Sequence, residues 1–127
     1  MSIQFNPHLG LILVNVAIEG PSGTAILRLA LDTGATSSLV NVAPLVALGY
    51  DPSLVPKRVQ VTTGTGIEFV ARINLNKLTA LGQVRINFPI LCHTIPPTAG
   101  VDGLLGLDFF RGHILSLDFK KGCIVLF

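Results

Sequence analysis

Charged residues are scarce in this chain, and several kinds of chemistry are excluded with them. Only 13% of the 127 residues are Asp, Glu, Lys or Arg, and the formal net charge is +2. That charge is spread thinly. Lys57-Arg58 and Lys120-Lys121 are pairs rather than patches, so no nucleic-acid partner is expected. Cysteine is nearly lacking as well: Cys92 and Cys123 are the two present. A bridge between them is open to the sequence, but in a core-rich domain they read as buried thiols, and neither is taken as a thiolate nucleophile. Long apolar runs are missing too. Leu9 to Ile18 is short and holds Gly10 and Asn15, and the uncharged stretch from Thr33 to Tyr50 carries Thr36, Ser37, Ser38, Asn41 and Pro44. A spanning helix needs roughly 20 mostly apolar residues, so no membrane association is expected. The first residues show neither a basic n-region nor a small-residue cleavage site, and the expected compartment is the cytoplasm.

The usual catalytic signatures are thin. His8, His93 and His113 stand alone, without an H-x-x-x-H or C-x-x-C partner, so no metal site is expected. There is no G-x-S-x-G elbow, and Ser37 and Ser38 have no obvious base. Gly64-x-Gly66 lacks the third glycine and the following helix of a dinucleotide site. What remains is carboxylate chemistry.

What the chain does have is apolar residues in alternation. Half of it is hydrophobic, enough for a proper core in a single domain spanning 1–127, with an excess that fits a self-associating subunit. Ile12, Val14, Val16 and Ile18 share one face of a strand, with Asn15 and Glu19 on the other. After the turn Gly20-Pro21-Ser22-Gly23, Leu27, Leu29 and Leu31 line up again, so the two segments read as a hairpin. Leu39-Val40 is a short extended piece, and Ala43 to Leu48 forms helical turns stopped by Gly49. Asp51-Pro52 and Pro56 mark a loop. Strands follow over Arg58–Thr62 and Ile67–Leu75, with the glycine-bearing tip Thr63-Gly64-Thr65-Gly66 between them. Further strands are expected over Leu78–Leu81, over Val84–Ile90 with Pro89 near its end or on an edge, over Ile114–Phe119 and over Cys123–Phe127, with a helical turn through Phe110. Many short strands with turns between them make an all-β, closed or sandwich-like domain with one or two short helices.

The sequence is organised around Leu29-Ala30-Leu31-Asp32-Thr33-Gly34-Ala35, where an apolar strand runs into a carboxylate at a tight turn. Asp-Thr-Gly is ordinary turn chemistry on one reading. On the other, the strand delivers Asp32 to a fixed place where a second carboxylate meets it. Leu31-Asp32-Thr33-Gly34-Ala35 resembles the active-site motif of retropepsin-like aspartic proteases, the single-domain group that includes retroviral proteases. Val101-Asp102-Gly103-Leu104-Leu105-Gly106-Leu107-Asp108-Phe109-Phe110 resembles their second signature. The look is closest to the cellular protease-like domains of DNA-damage-inducible ubiquitin shuttles and related bacterial proteins, and the likeness covers roughly Leu11 to Phe127. It implies the barrel-like acid protease fold. It further implies that Asp32 is the catalytic carboxylate, that Thr33, Gly34 and Ala35 form a rigid small turn, and that Leu104, Leu105 and Gly106 pack beneath it. The tip Thr63, Gly64, Thr65, Gly66 and Ile67 would be a flap over an extended polypeptide substrate.

Asp-Thr-Gly occurs once, where two-domain pepsin-like enzymes carry it twice. Asp102-Gly103 lacks the Thr, and Asp108 reads as a helix-start or structural residue. The second carboxylate is therefore expected from another copy of the chain, in a symmetric homodimer. Two carboxylates in contact cannot both ionise, so they share a proton. The expected activity is an aspartic endopeptidase that needs no cofactor or metal. The alternative is a retropepsin-like dimerisation or peptide-binding module with little turnover.

Overall fold

The computed structural model describes residues 2–55 and 58–127 and, of Thr63, the backbone alone; Pro56 and Lys57 lie outside the described residues. Among the described residues, ten strands and two short helices follow one another: β1 (Ser2–Gln4), β2 (Leu13–Gly20), β3 (Gly23–Leu31), β4 (Leu39–Asn41), α1 (Val42–Ala47), β5 (Arg58–Thr63), β6 (Gly66–Ala80), β7 (Gln83–His93), β8 (Gly103–Leu105), α2 (Leu107–Phe110), β9 (Leu115–Asp118) and β10 (Cys123–Leu126). Short 3₁₀ turns at Pro52–Leu54 and Pro97–Ala99 complete the chain.

Strands β2-β3-β8-β4-β7-β6 are hydrogen-bonded in that order, and β6 pairs back onto β2, which closes a barrel of six strands. The alternation read from the sequence is what fills it. Val14, Val16 and Ile18 of β2 and Leu27 and Leu29 of β3 point inward, while Asn15, Glu19 and Arg28 face solvent. Leu45, Leu75, Leu78, Ile90, Leu105 and Phe109 close the interior, each 1% exposed or less. Removing a side chain of that size from water contributes on the order of 2 kcal/mol. A second sheet, β1-β10-β9, stands outside the barrel and joins the two ends of the chain.

Three expectations change. The strands expected at Ile67–Leu75 and Leu78–Leu81 are one strand, β6, paired with β7 in a single register from Ala71↔Cys92 to Ala80↔Gln83. The polar break at Asn76-Lys77 is a local fault in that ladder. Opposite it Asn87 takes φ +54°, and the Asn76 amide donates to the Tyr50 hydroxyl at 2.9 Å. That hydroxyl donates in turn to the Glu19 carbonyl at 2.6 Å, tying β2 to β6 where the barrel closes. Pro89 sits inside β7, opposite Asn74, yet β4 reaches β7 only from Leu91 onward, so the missing N–H interrupts no ladder bond on that side. Finally, β1 has no counterpart in the sequence reading.

β8 lies between β3 and β4, parallel to β3 with Ala30 opposite Leu104 and antiparallel to β4 with Leu39 opposite Leu104. The fit leaves no room at Gly103: a Cβ there would lie 2.0 Å from the Leu39 carbonyl oxygen and 3.0 Å from a Leu29 methyl. Gly103→Ala is accordingly expected to lose about 3 kcal/mol of stability or more, measured by chemical denaturation. Gly10→Ala, where a Cβ would meet nothing within 4 Å, serves as the control and should be near neutral. Equal stability of the two variants would contradict this packing.

Candidate active site

Asp32 follows the last residue of β3 and is fixed by its own backbone. Its N–H donates to the Leu105 carbonyl at 2.9 Å, extending the parallel β3–β8 ladder by one bond. Its Oδ1 accepts from the Gly34 N–H at 2.9 Å, and its carbonyl accepts from the Ala35 N–H at 3.2 Å. A Cβ on Gly34 would stand 3.2 Å from that Oδ1, so glycine keeps the carboxylate uncrowded. Asp32 is half-buried, whereas Thr33 and Gly34 reach the surface. A turn held by both its main chain and its carboxylate thus presents a single carboxylate near the protein's face.

The support beneath it comes from the second glycine-rich segment. The Ala35 carbonyl accepts from the Leu107 N–H at 2.8 Å, and a Cβ on Gly106 would come within 2.7 Å of that same oxygen. Leu105 is fully buried below the turn. Leu104 differs from its two neighbours: it is half-buried and lines the groove above the turn rather than the core. Ser38 is the joint between the segments. It is fully buried, its hydroxyl accepts from the Gly106 N–H at 2.9 Å and donates to Asp108 Oδ1 at 2.7 Å, and its amide donates to both Asp108 oxygens at 3.0 and 2.9 Å. The sequence reading set Ser38 aside as a nucleophile and saw nothing else in it. No local signal marks a hydrogen bond between residues 70 apart.

A groove of about 590 Å³ opens beside the turn. Gly34, Ala35, Thr36 and Ser37 form one wall and Val59–Thr62 of β5 the other, with Leu39, Leu91 and Leu104 making an apolar floor. Beyond Ala71 the β5–β6 hairpin pairs only with itself and projects away from the barrel. Its tip Gly64, Thr65, Gly66 and Ile67 is exposed and does not line the groove within this chain; of Thr63 only the backbone is described. The hairpin arm, not the tip, is what faces the Asp32 turn.

The chain has seven acidic residues, and six are placed elsewhere. Asp102 Oδ2 accepts from the Arg28 N–H at 2.9 Å, Asp108 holds Ser38, and Asp51 accepts from Ser53. Asp118 Oδ1 accepts from the amides of Lys120 and Lys121, each at 2.9 Å. Glu68 is bonded to His93, and Glu19 lies on the outer face of the barrel beside Lys77. None of these carboxylates joins Asp32. Both cysteines are free; His93 follows Cys92 in sequence but turns its ring to Glu68 and Thr94, and burial pushes the Cys92 thiol up to about 11. A thiol held protonated in this way is a poor nucleophile.

A barrel closed around an Asp-Thr-Gly turn, with a projecting hairpin across a groove, is the architecture of the retropepsin-like proteins. A retropepsin-like aspartic protease from Rickettsia conorii superposes with a TM-score of 0.74 at 20% identity, covering 99% of this chain and 88% of that one. The retroviral protease-like domain of Ddi1 from Leishmania major gives 0.62 at 20% identity, covering 93% and 89%. No curated protein matches the chain. The aspartyl protease family profile matches residues 14–109, from β2 through the second glycine segment, and the chain belongs to that family.

Proposed function

We propose that the protein is an aspartic endopeptidase whose site is assembled from two copies of the chain. The observation that carries this reading is the inventory of carboxylates. Asp32 is held by the turn whose Gly34 and Ala35 line the groove, and every other acid in the chain is bonded to a different partner or, as Glu19, lies on the outer face of the barrel. A second carboxylate for water activation then has one source, the Asp32 of another copy brought up at a two-fold axis. The exposed Thr33 and Gly34 leave the turn open to such an approach. Three large apolar side chains beside the terminal strands, Ile114, Phe119 and Phe127, are 59–69% exposed and offer surface for self-association.

In this dimer the two carboxylates share one proton, because like charges in contact cannot both persist. The ionised member takes a proton from a water lying between the two, and that water attacks the peptide carbonyl. The protonated member donates to the carbonyl oxygen, and a proton then passes to the departing nitrogen. An extended polypeptide lies in the groove, its uncharged side chains against Leu39, Leu91 and Leu104, with β5 crossing over it.

The pH profile of peptide hydrolysis tests the chemistry. A shared-proton pair gives a bell with an acidic to near-neutral optimum, described by two macroscopic values that belong to the pair. A rate that climbs steadily into alkaline pH would instead indicate a thiolate or serine nucleophile and overturn the proposal.

A further inference from the structure

The β5–β6 hairpin leaves the barrel at Ala71, the last residue of β6 paired with β7. Three residues further along β6, Glu68 reaches back to the barrel and bonds His93 at the end of β7. His93 is itself anchored, since it pairs with Asn41 of β4. The His93–Glu68 contact is thus a strap across the root of the hairpin, beyond the end of the β6–β7 ladder. It lines a hollow of about 540 Å³ between the hairpin root and the Pro52–Leu54 turn.

The protonation state of that strap follows from its partners. His93 Nδ1 lies 2.9 Å from the Thr94 carbonyl oxygen, and Nε2 lies 2.5 Å from Glu68 Oε2. A carbonyl oxygen and an ionised carboxylate only accept, so with Glu68 ionised both bonds form when both ring nitrogens donate. Only the imidazolium can do that. On losing a proton the ring gives up one of its two bonds and the charge that strengthens the other.

We propose that His93 and Glu68 form a proton-dependent latch at the root of the hairpin, which in its protonated form holds β5 over the Asp32 groove. The inference rests on the reading of that groove as the substrate site. Titration of His93 is then a control on the lid rather than on the chemistry, a local charge change acting on a movable element. The other ionisable groups lining the hollow are Arg58 on β5 and Cys92 on β7. Arg58 is a fixed charge, and the Cys92 thiol is pushed up to about 11, above the range in question. The hydrogen bond that His93 donates to Glu68, ahead of the Thr94 carbonyl and the Glu68 charge, raises His93 above its ordinary 6.5, although partial burial opposes it. A raised value fixes the sign: the latch is fully formed below pH 6.5 and is lost as pH rises through the folded-state value.

The test is amide hydrogen exchange of the Asp32→Asn protein between pH 5 and 9, corrected for intrinsic exchange, with the His93 ring followed by NMR. Using the Asn chain makes the readout independent of turnover, so failure of the latch and failure of the protease reading are separable. Protection in residues 58–70 is expected to fall roughly two- to fivefold as His93 deprotonates, the range of a partly exposed ion pair. Amides of β2 and β3 should not follow it. In Glu68→Gln and in His93→Gln, each on the same background, the step should vanish and hairpin protection should sit at the high-pH level throughout. A step that persists in either variant, or a hairpin unchanged while the wild-type ring titrates, would overturn the latch.

Discussion

Asp32→Asn is expected to reduce peptide hydrolysis by about a thousandfold or more while leaving fold and assembly intact. The loss follows from the chemistry. An amide cannot share a proton with a neighbouring carboxylate, cannot take one from water, and cannot return one to the leaving nitrogen. The retained fold follows from the geometry. The Asp32 side chain's local bond is the one accepted from the Gly34 N–H at 2.9 Å, and an asparagine Oδ1 accepts it equally well. Alanine would leave that amide without its partner and confuse the two effects. Removing the repulsion between paired carboxylates makes the Asn variant neutral or slightly more stable as a dimer. Steady-state hydrolysis of a peptide library, with thermal melting alongside, measures both. Undiminished turnover would remove Asp32 from the mechanism, and a wild-type protein without turnover would leave the peptide-binding module as the reading.

How much of this was legible in the sequence depends on how far apart the interacting residues stand. The strand before Asp32 and the hairpin leading into it were readable, because Val14, Val16, Leu27 and Leu29 alternate with polar neighbours within a few residues. The glycines at positions 103 and 106 were readable as part of a second signature. Their physical reason, backbone oxygens at 2.0 and 2.7 Å from where a Cβ would stand, needed the fold. The role of Asp108 could be guessed as structural, but not that its two oxygens hold Ser38. Nothing near Glu68 announces His93, 25 residues away, and nothing in Ser2–Gln4 announces that it pairs with the other end of the chain. The continuous β6 was obscured by Asn76 and Lys77, which look like a turn until Tyr50 is seen to take the Asn76 amide. The alternating face of Ile67, Phe69, Ala71 and Ile73 was correctly phased, yet it changes environment midway: Ala71 and Ile73 are buried, while Ile67 and Phe69 are 61% and 69% exposed on the projecting hairpin. Periodicity gives a face, not the depth of what covers it.

The arrangement also separates two jobs that one residue would otherwise have to do. The turn that carries Asp32 is rigid, bonded to Leu105 below and braced through Ala35, Gly106 and Ser38. The wall opposite is the arm of a hairpin that pairs only with itself past Ala71. If the protein is the proposed peptidase, the reacting carboxylate sits on the barrel and the groove's other wall on the hairpin, the division expected where a lid admits and then covers a substrate. That division works only if the rigid part is complete, and within one chain it holds a single carboxylate.

Mixing subunits tests that incompleteness directly. If each site needs an Asp32 from two chains, wild-type protein allowed to exchange with a ninefold excess of Asp32→Asn chains should lose about tenfold of its activity, since random pairing leaves only about a tenth of wild-type chains with a wild-type mate. No wild-type chain has been removed, so the loss reports the heterodimer alone, in which one aspartate faces one asparagine and no proton is shared. Differently tagged chains recovered together confirm that exchange took place. The same dependence predicts that specific activity falls on dilution below the dimer dissociation constant and returns on concentration, following mass action. A chain with a complete site would behave otherwise: its activity would be indifferent both to dilution and to inactive partners. Verified exchange with undiminished activity would mean that a second catalytic group lies within the chain after all. Since the six other acids are bonded locally or face away, the two-copy site would then have to be abandoned along with the shared-proton mechanism.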